Sequence, residues 1–80
     1  MDKSDVYEIY VAGNLTATWQ AWFEGIQLLS VRPADGQPER TLLVVPGDDP
    51  ALLHGVLAQI GALNLHLISV EWRPVQVLTG

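Results

Sequence analysis

The two histidines and the carboxylates near them are the side chains of this sequence that are best suited to catalysis or metal binding. His54 lies five residues after Asp49, and His66 lies further along the chain. A metal site needs several histidine or carboxylate ligands that converge, and nothing in this spacing brings such a set together. General acid–base catalysis would need His54 to act with Asp48, Asp49 or Glu71. A histidine at the rim of an apolar helical face is more often packed and hydrogen-bonded, so we expect neither a catalytic residue nor a metal.

Nucleophilic catalysis and phosphate binding have equally little support in the sequence. The chain contains no cysteine, and its serines stand in no nucleophile motif. No glycine-rich phosphate loop follows any predicted strand. We therefore expect a protein without enzymatic activity and without a cofactor.

Aromatic side chains form a second group that could contact a ligand. Trp19, Trp22 and Phe23 recur at helical spacing and could stack on a planar molecule or cover the end of the core. The second role is favoured because a small domain with a short first helix needs bulk there. The residues that we select as candidate ligand or interface positions are Asn14, Trp19, Trp22, Asp48, Asp49, His54, Gly55 and Trp72.

These candidates are arranged around a helix and a strand in the second half of the chain. Asp49 can cap a helix that starts at Pro50, where the missing N–H costs nothing. Asn64 suits the left-handed residue that ends such a helix, and Leu65 can fold back onto its last turn. From Leu65 to Arg73 the apolar residues alternate, which indicates a strand. We expect this unit to supply the centre of the core, with Leu53, Val56, Leu57, Ile60, Ile68 and Val70.

The first half of the chain contains three further predicted strands, at Val6–Ala12, Ile26–Arg32 and Thr41–Val45. The second and third form a hairpin, because the segment between them contains the proline and Asp-Gly residues of a turn. The segment Leu15–Gly25 is compatible with one or two helical turns and also with a loop pinned by its aromatic residues.

This order predicts an α+β fold. With a reduced first helix, it is the split β-α-β arrangement of ferredoxin-like or ACT-like domains, in which helices cover one face of a four-stranded antiparallel sheet. With a loop in place of that helix, a three-stranded meander remains, with one helix and a fourth strand. We treat residues 1–80 as one domain in which residues 1–5 and 75–80 are flexible or form interface arms.

Composition limits the classes of partner. Nine acidic residues against four basic ones give a net charge of −5, which disfavours nucleic acid and anionic membranes. The first residues have neither the basic start nor the apolar run that is typical of a signal peptide, and no apolar run approaches the length of a membrane span, so we expect a soluble cytoplasmic protein. Apolar residues make up 49 % of the chain, more than one small core can readily cover, and a partner should cover the remainder.

From Trp19 onward the chain resembles a group of short bacterial proteins of unknown function. The shared pattern is W-x-x-W-F-x-G, then D-x-x-x-L-H-G-x-L, then L-x-L-I-S-V. Here it comprises Trp19, Trp22, Phe23 and Gly25, then Asp49, Leu53, His54, Gly55 and Leu57, then Leu65 and residues 67–70. The resemblance implies a family without an activity, substrate or cofactor. In this chain Gly61 and Ala62 replace charged residues expected in the last helical turns.

Two functions follow from these observations. The favoured one is a homo-oligomeric interaction module, most simply a homodimer, because the predicted helix carries no charged side chain and one face of the sheet lacks a helix. The sheet face or edge, lined by Tyr10, Leu29 and Trp72, and the helix stripe Ala51-Gly55-Ala58-Ala62 compete as the contact. The alternative is an ACT-like regulatory domain that binds a small metabolite near Asn14 and the Asp48-Asp49 turn, which rests on analogy of fold alone.

Overall fold

The computed structural model describes residues 4–15, 20–23 and 25–75. They form four strands and one α-helix, the α+β class predicted from the sequence. The elements in chain order are β1 (Ser4–Ala12), a single 3-10 turn (Gln20–Trp22), β2 (Gln27–Val31), β3 (Arg40–Pro46), α1 (Pro50–Ala62) and β4 (Leu67–Val75). This element order fits the alternative prediction, in which three strands, one helix and a fourth strand follow one another.

The strands form one antiparallel sheet in the order β2-β3-β1-β4. Both β3 and β4 run antiparallel to β1, so they are parallel to each other, and α1 connects them across β1. In the same way β1 and β2 are parallel and lie on either side of β3. The two edge strands of the sheet are therefore β2 and β4.

Both ends of α1 have the predicted local structure. The Asp49 side chain accepts a hydrogen bond of 3.1 Å from the Ala51 N–H, and Pro50 is the first helical residue. At the other end Asn64 takes a positive φ of 59°, and the Leu65 N–H donates to the Ile60 carbonyl at 3.0 Å. These bonds satisfy main-chain groups that a helix terminus leaves unpaired.

The predicted first helix is reduced to the 3-10 turn. Trp19 lies outside the described residues, as do the other residues of 16–19 and residue 24. Phe23 is buried, so it covers the end of the core as expected, while Trp22 is exposed. Phe23 and Ile26, which follow this turn, are buried and anchor it to the core.

The hairpin between β2 and β3 is confirmed. The strands pair antiparallel, with Leu28 opposite Leu43. The Gln37 N–H donates to the Ala34 carbonyl at 2.9 Å, and Gly36 has a φ of +79°. Asp35 and Gly36 are therefore at the centre of the turn, as the Asp-Gly pair predicts.

The core lies between α1 and the central strands. It comprises the buried residues Ile9, Val11, Leu15, Phe23, Ile26, Leu28, Leu43, Val45, Val56 and Ile60. Val56 and Ile60 were predicted there, whereas Leu53 and Leu57 pack against the core only half-buried. The prediction for Ile68 and Val70 was wrong, because these side chains are 43 % and 40 % exposed. Alternation identified their strand, but α1 does not cover it.

Candidate interaction surface

The exposed apolar side chains of the described residues are concentrated on β4. Trp22, Leu29, Leu67, Ile68, Val70 and Trp72 are the large apolar residues that are exposed, and four of these six belong to β4. Isolated apolar residues on a surface are ordinary, but a contiguous group marks an interaction site.

Strand pairing shows which side of the sheet this group occupies. Val70 lies opposite Ile9, and Trp72 lies opposite Tyr7. Paired residues project to the same face, and Ile9 is fully buried beneath α1. Tyr7, Val70 and Trp72 therefore lie on the helix side of the sheet; we call these three residues the β4 floor. Trp72 is 54 % exposed.

The floor is bare because one helix is too narrow for the sheet. An α-helix with its side chains is about 10 Å wide, and strands are spaced about 4.8 Å apart, so one helix covers roughly two strands. The strand that α1 approaches most closely is β3. Phe23 and Ile26 are buried and fill the space beside α1 on the β2 side. No described residue does the same for β4.

The two flanks of α1 face different neighbours. Ala51, Leu52, Gly55 and Gln59 line a shallow groove of about 250 Å³ beside Trp22, on the β2 side. At 100° per residue, Leu53 and Leu57 lie on the opposite flank, toward β4. The half-buried leucines therefore border the β4 floor.

A third side of α1 faces away from the core. We call its exposed residues the helix back: Ala51, His54, Gly55, Ala58, Gly61 and Ala62. Ala58 lies two positions from both Val56 and Ile60, which places it about 200° from each of these buried residues. The helix back consists of small residues and one histidine. The first turn of α1 contains no acidic residue, and its last turn contains no basic residue.

The face of the sheet opposite to α1, which we call the open face, carries an apolar row. Leu29 lies opposite Leu42, and Leu42 lies opposite Tyr10, so these three residues form one apolar row. The prediction that Trp72 shares a surface with Tyr10 and Leu29 was wrong, because Trp72 pairs with Tyr7, on the helix side. The Arg40 guanidinium lies over the Tyr10 ring, 5.1 Å from its centroid.

Charged residues cross this open face at the β1–β4 pair. Arg73 Nε donates to Glu8 at 3.1 Å, and Arg73 Nη2 donates to Glu71 at 2.8 Å. The hydrogen bond to Glu8 and the charges of both carboxylates raise the pKa of the Arg73 guanidinium above its ordinary value. The two sides of β4 are thus chemically different: ion pairs lie on one and uncharged apolar residues on the other.

The residues predicted as ligand contacts do not form one site. Asn14 follows β1, whereas Asp48 and Asp49 follow β3. Because β1 and β3 are antiparallel, these positions lie at opposite ends of the sheet. The Gly13 N–H bonds to the Glu39 carbonyl at one end, and a strand of nine residues is about 30 Å long. One small ligand cannot contact both ends.

The remaining candidates are spread over different surfaces. Trp22 and Gly55 meet at the groove, and His54 is exposed on the helix back. A second depression of about 340 Å³ is lined by Asp5, Val6, Gly25, Gln27, Val44, Pro46 and Asp48. Among the described residues no three His, Asp or Glu side chains are grouped closely enough to share a metal ion. No helix in this part of the chain has the length and apolar character needed to cross a membrane.

One buried hydroxyl was not predicted from the sequence. Thr41 is fully buried; its Oγ1 donates to the Gly13 carbonyl at 2.7 Å and accepts from the Leu15 N–H at 2.8 Å. It holds the chain leaving β1 against β3. Only the placement of a threonine in an otherwise apolar strand could have indicated this role.

The comparisons with known proteins provide a family and no activity. A family model described as "Domain of unknown function (DUF8691)" matches residues 6–71, which extend from β1 into β4. No curated protein and no solved structure matches the chain.

Proposed function

The chain belongs to the DUF8691 family of domains of unknown function, and from this premise we propose that it is a homo-oligomeric interaction module, most simply a homodimer. The family match confirms the resemblance to proteins of unknown function that the sequence motifs indicated. The observation that carries the proposal is the concentration of exposed apolar side chains on β4. A second copy brings the same apolar surface and needs no other partner.

The character of the surface supports this proposal. The centres of protein interfaces are depleted of charge and enriched in aromatic residues. The β4 floor consists of Tyr7, Val70 and Trp72, whereas the open face includes the ion pairs of Arg73. We therefore propose the helix side of β4, rather than the open face, as the contact.

We also propose that the fold is a ferredoxin-like sandwich with a reduced first helix. The strand order β2-β3-β1-β4 supports this proposal, because each pair of parallel strands encloses one antiparallel strand. The ACT-like metabolite role gains no such support, since its predicted contacts lie at opposite ends of the sheet. The location of the protein in the cytoplasm stays a prediction.

Sedimentation equilibrium of two matched variants tests the proposed contact. Trp72→Glu places a charge on the β4 floor, and Leu29→Glu places one on the open face of the other edge strand. Both residues are exposed, at 54 % and 41 %, so neither change removes a core side chain. We expect Trp72→Glu to weaken association and Leu29→Glu to leave it unchanged. The reverse result would place the contact on the open face.

A further inference from the structure

Two features of the molecule have no partner within the described chain. The β4 floor is an apolar strand surface without a helix above it, and the helix back is an uncharged helix surface without a sheet below it. Helices that face solvent usually carry charged residues on that side. The absence of charge on one surface and of cover on the other points to a contact between the two.

The two surfaces also complement each other in shape. Small residues such as Ala58 and Gly55 allow a neighbouring element to approach the helix closely. Beyond the adjacent residues and the backbone of α1 itself, no heavy atom of the described residues lies within 4 Å of a Cβ built on Gly55, so there is open space next to this position. Trp72 projects as a large, exposed ring, which fits against a helix of small residues and not against another bulky surface.

The two surfaces cannot meet within one chain, because the helix back points away from its own sheet. A second copy related by a two-fold axis parallel to the sheet satisfies both surfaces at once. Each helix then lies between its own β3 and the partner's β4, and Leu53 and Leu57 face the partner's helix.

Pairing of the two β4 edges is the competing arrangement, and the edge opposes it. The Asp5 carbonyl accepts from the Gly47 N–H, toward β3, and the Ala12 N–H donates to the His66 carbonyl, toward β4. This alternation leaves the main-chain groups of Val70 and Trp72 directed outward. On one side of Val70 and Trp72 the β1–β4 register shifts, between the pairs that Ser69 and Leu67 form with β1. On the other side lies Pro74, which has no N–H. Bulges and prolines protect sheet edges from strand addition.

The area of the reciprocal contact is sufficient. A helix of 13 residues is about 20 Å long and about 10 Å wide, so each contact covers roughly 200 Å² of either surface. Two symmetric contacts bury about 800 Å² in total. The contact between the helices along Leu53 and Leu57 brings the sum to about 1,000 Å², where specific interfaces begin.

We infer that two copies of this chain pack reciprocally, with the helix back of each copy on the β4 floor of the other. The α1 of each copy then covers the β4 strand that the other copy's own α1 leaves uncovered. This inference rests on the proposed self-association and specifies its geometry.

Charge complementation between two variants tests the reciprocal geometry. Ala58→Lys alters the helix back, and Trp72→Glu alters the β4 floor. Each variant alone buries unpaired charges in both contacts, and we expect the dimer Kd to rise on the order of 100-fold. In an equimolar mixture, one contact of the heterodimer is unchanged and the other joins lysine to glutamate. We expect the mixture to recover a dimer in sedimentation equilibrium, with Leu29→Glu as the control that leaves association intact.

The outcomes separate this inference from the proposed function. A wild-type monomer would overturn both. A wild-type dimer that persists in Ala58→Lys but is lost in Trp72→Glu would overturn only the reciprocal geometry and would indicate contact between the two β4 strands. Loss in both variants without recovery in the mixture would also overturn it, since like surfaces would then face each other. Far-ultraviolet circular dichroism shows whether each variant is folded, and Val70→Glu replaces Trp72→Glu if the latter unfolds.

Discussion

At the scale of single residues, the buried Thr41 hydroxyl connects two parts of the chain that are distant in sequence. Thr41→Val keeps the shape of the side chain but leaves the Gly13 carbonyl and the Leu15 N–H without their partner. We expect the free energy of unfolding to fall by about 2 kcal/mol, because both groups are desolvated. Urea denaturation measures this change, and Thr41→Ser, which keeps the hydroxyl, should lose less. Equal stability of Thr41→Val and the wild type would show that the hydroxyl contributes nothing.

Replacement by alanine should change the stability of the protein in opposite directions at two glycines. A Cβ on Gly47 would lie 2.9 Å from both the Cβ and the carbonyl oxygen of Asp5, so Gly47→Ala should destabilise the protein by about 1–3 kcal/mol. Gly55 lies in an open position within α1, so Gly55→Ala should stabilise the isolated chain by about 0.5–1 kcal/mol. Thermal unfolding of the two variants tests this difference in sign. A shift of both melting temperatures in one direction would contradict it.

At the scale of elements, the cap of α1 is testable against its neighbour in the same turn. Asp49→Ala removes the acceptor for the Ala51 N–H and should lower the free energy of unfolding by about 1 kcal/mol. Asp48→Ala, which changes the adjacent carboxylate, is the matched control and should have a smaller effect. If Asp48→Ala proved the more costly change in urea denaturation, the helix start would be misassigned.

The packing of α1 predicts a gradient of stability across its apolar face. Ile60 is 2 % exposed, and Ile60→Ala should cost about 2–5 kcal/mol. Leu57 is only half-buried at the flank, so Leu57→Ala should cost less in the monomer, about 1–2 kcal/mol. Chemical denaturation at a concentration where the protein is monomeric measures both losses of free energy of unfolding. Equal losses for the two variants would mean that β4 lies closer to α1 than in the structure.

Local signals predicted the elements of this fold, and the position of α1 on the sheet could not be predicted. The caps at Asp49 and Asn64 and the Asp-Gly turn are properties of a few adjacent residues, so the sequence contains them directly. The exposure of Ile68 and Val70 depends on which strands α1 covers, and alternation along β4 is the same for a covered and an uncovered strand. Trp72 was assigned to the wrong surface for a related reason: its pairing with Tyr7 depends on register between distant strands.

At the scale of the whole molecule, the described residues provide one α-helix and one 3-10 turn to cover a sheet of four strands. Phe23 and Ile26, which follow the turn, are buried and extend the core toward β2, whereas the opposite edge strand exposes apolar side chains. A small domain buries a limited share of its surface, so covering this edge with a second copy would add stability that its own chain does not provide. Apparent stability should then rise with protein concentration, because only the folded chain associates.

The mass of the unchanged protein in solution is the most direct test of self-association. Light scattering should be recorded from low micromolar to high micromolar concentration at physiological salt. A homodimer has twice the chain mass of 8.8 kDa, and we expect this mass at high concentration, with dissociation at the lowest concentrations. A mass of 8.8 kDa throughout that range would contradict it.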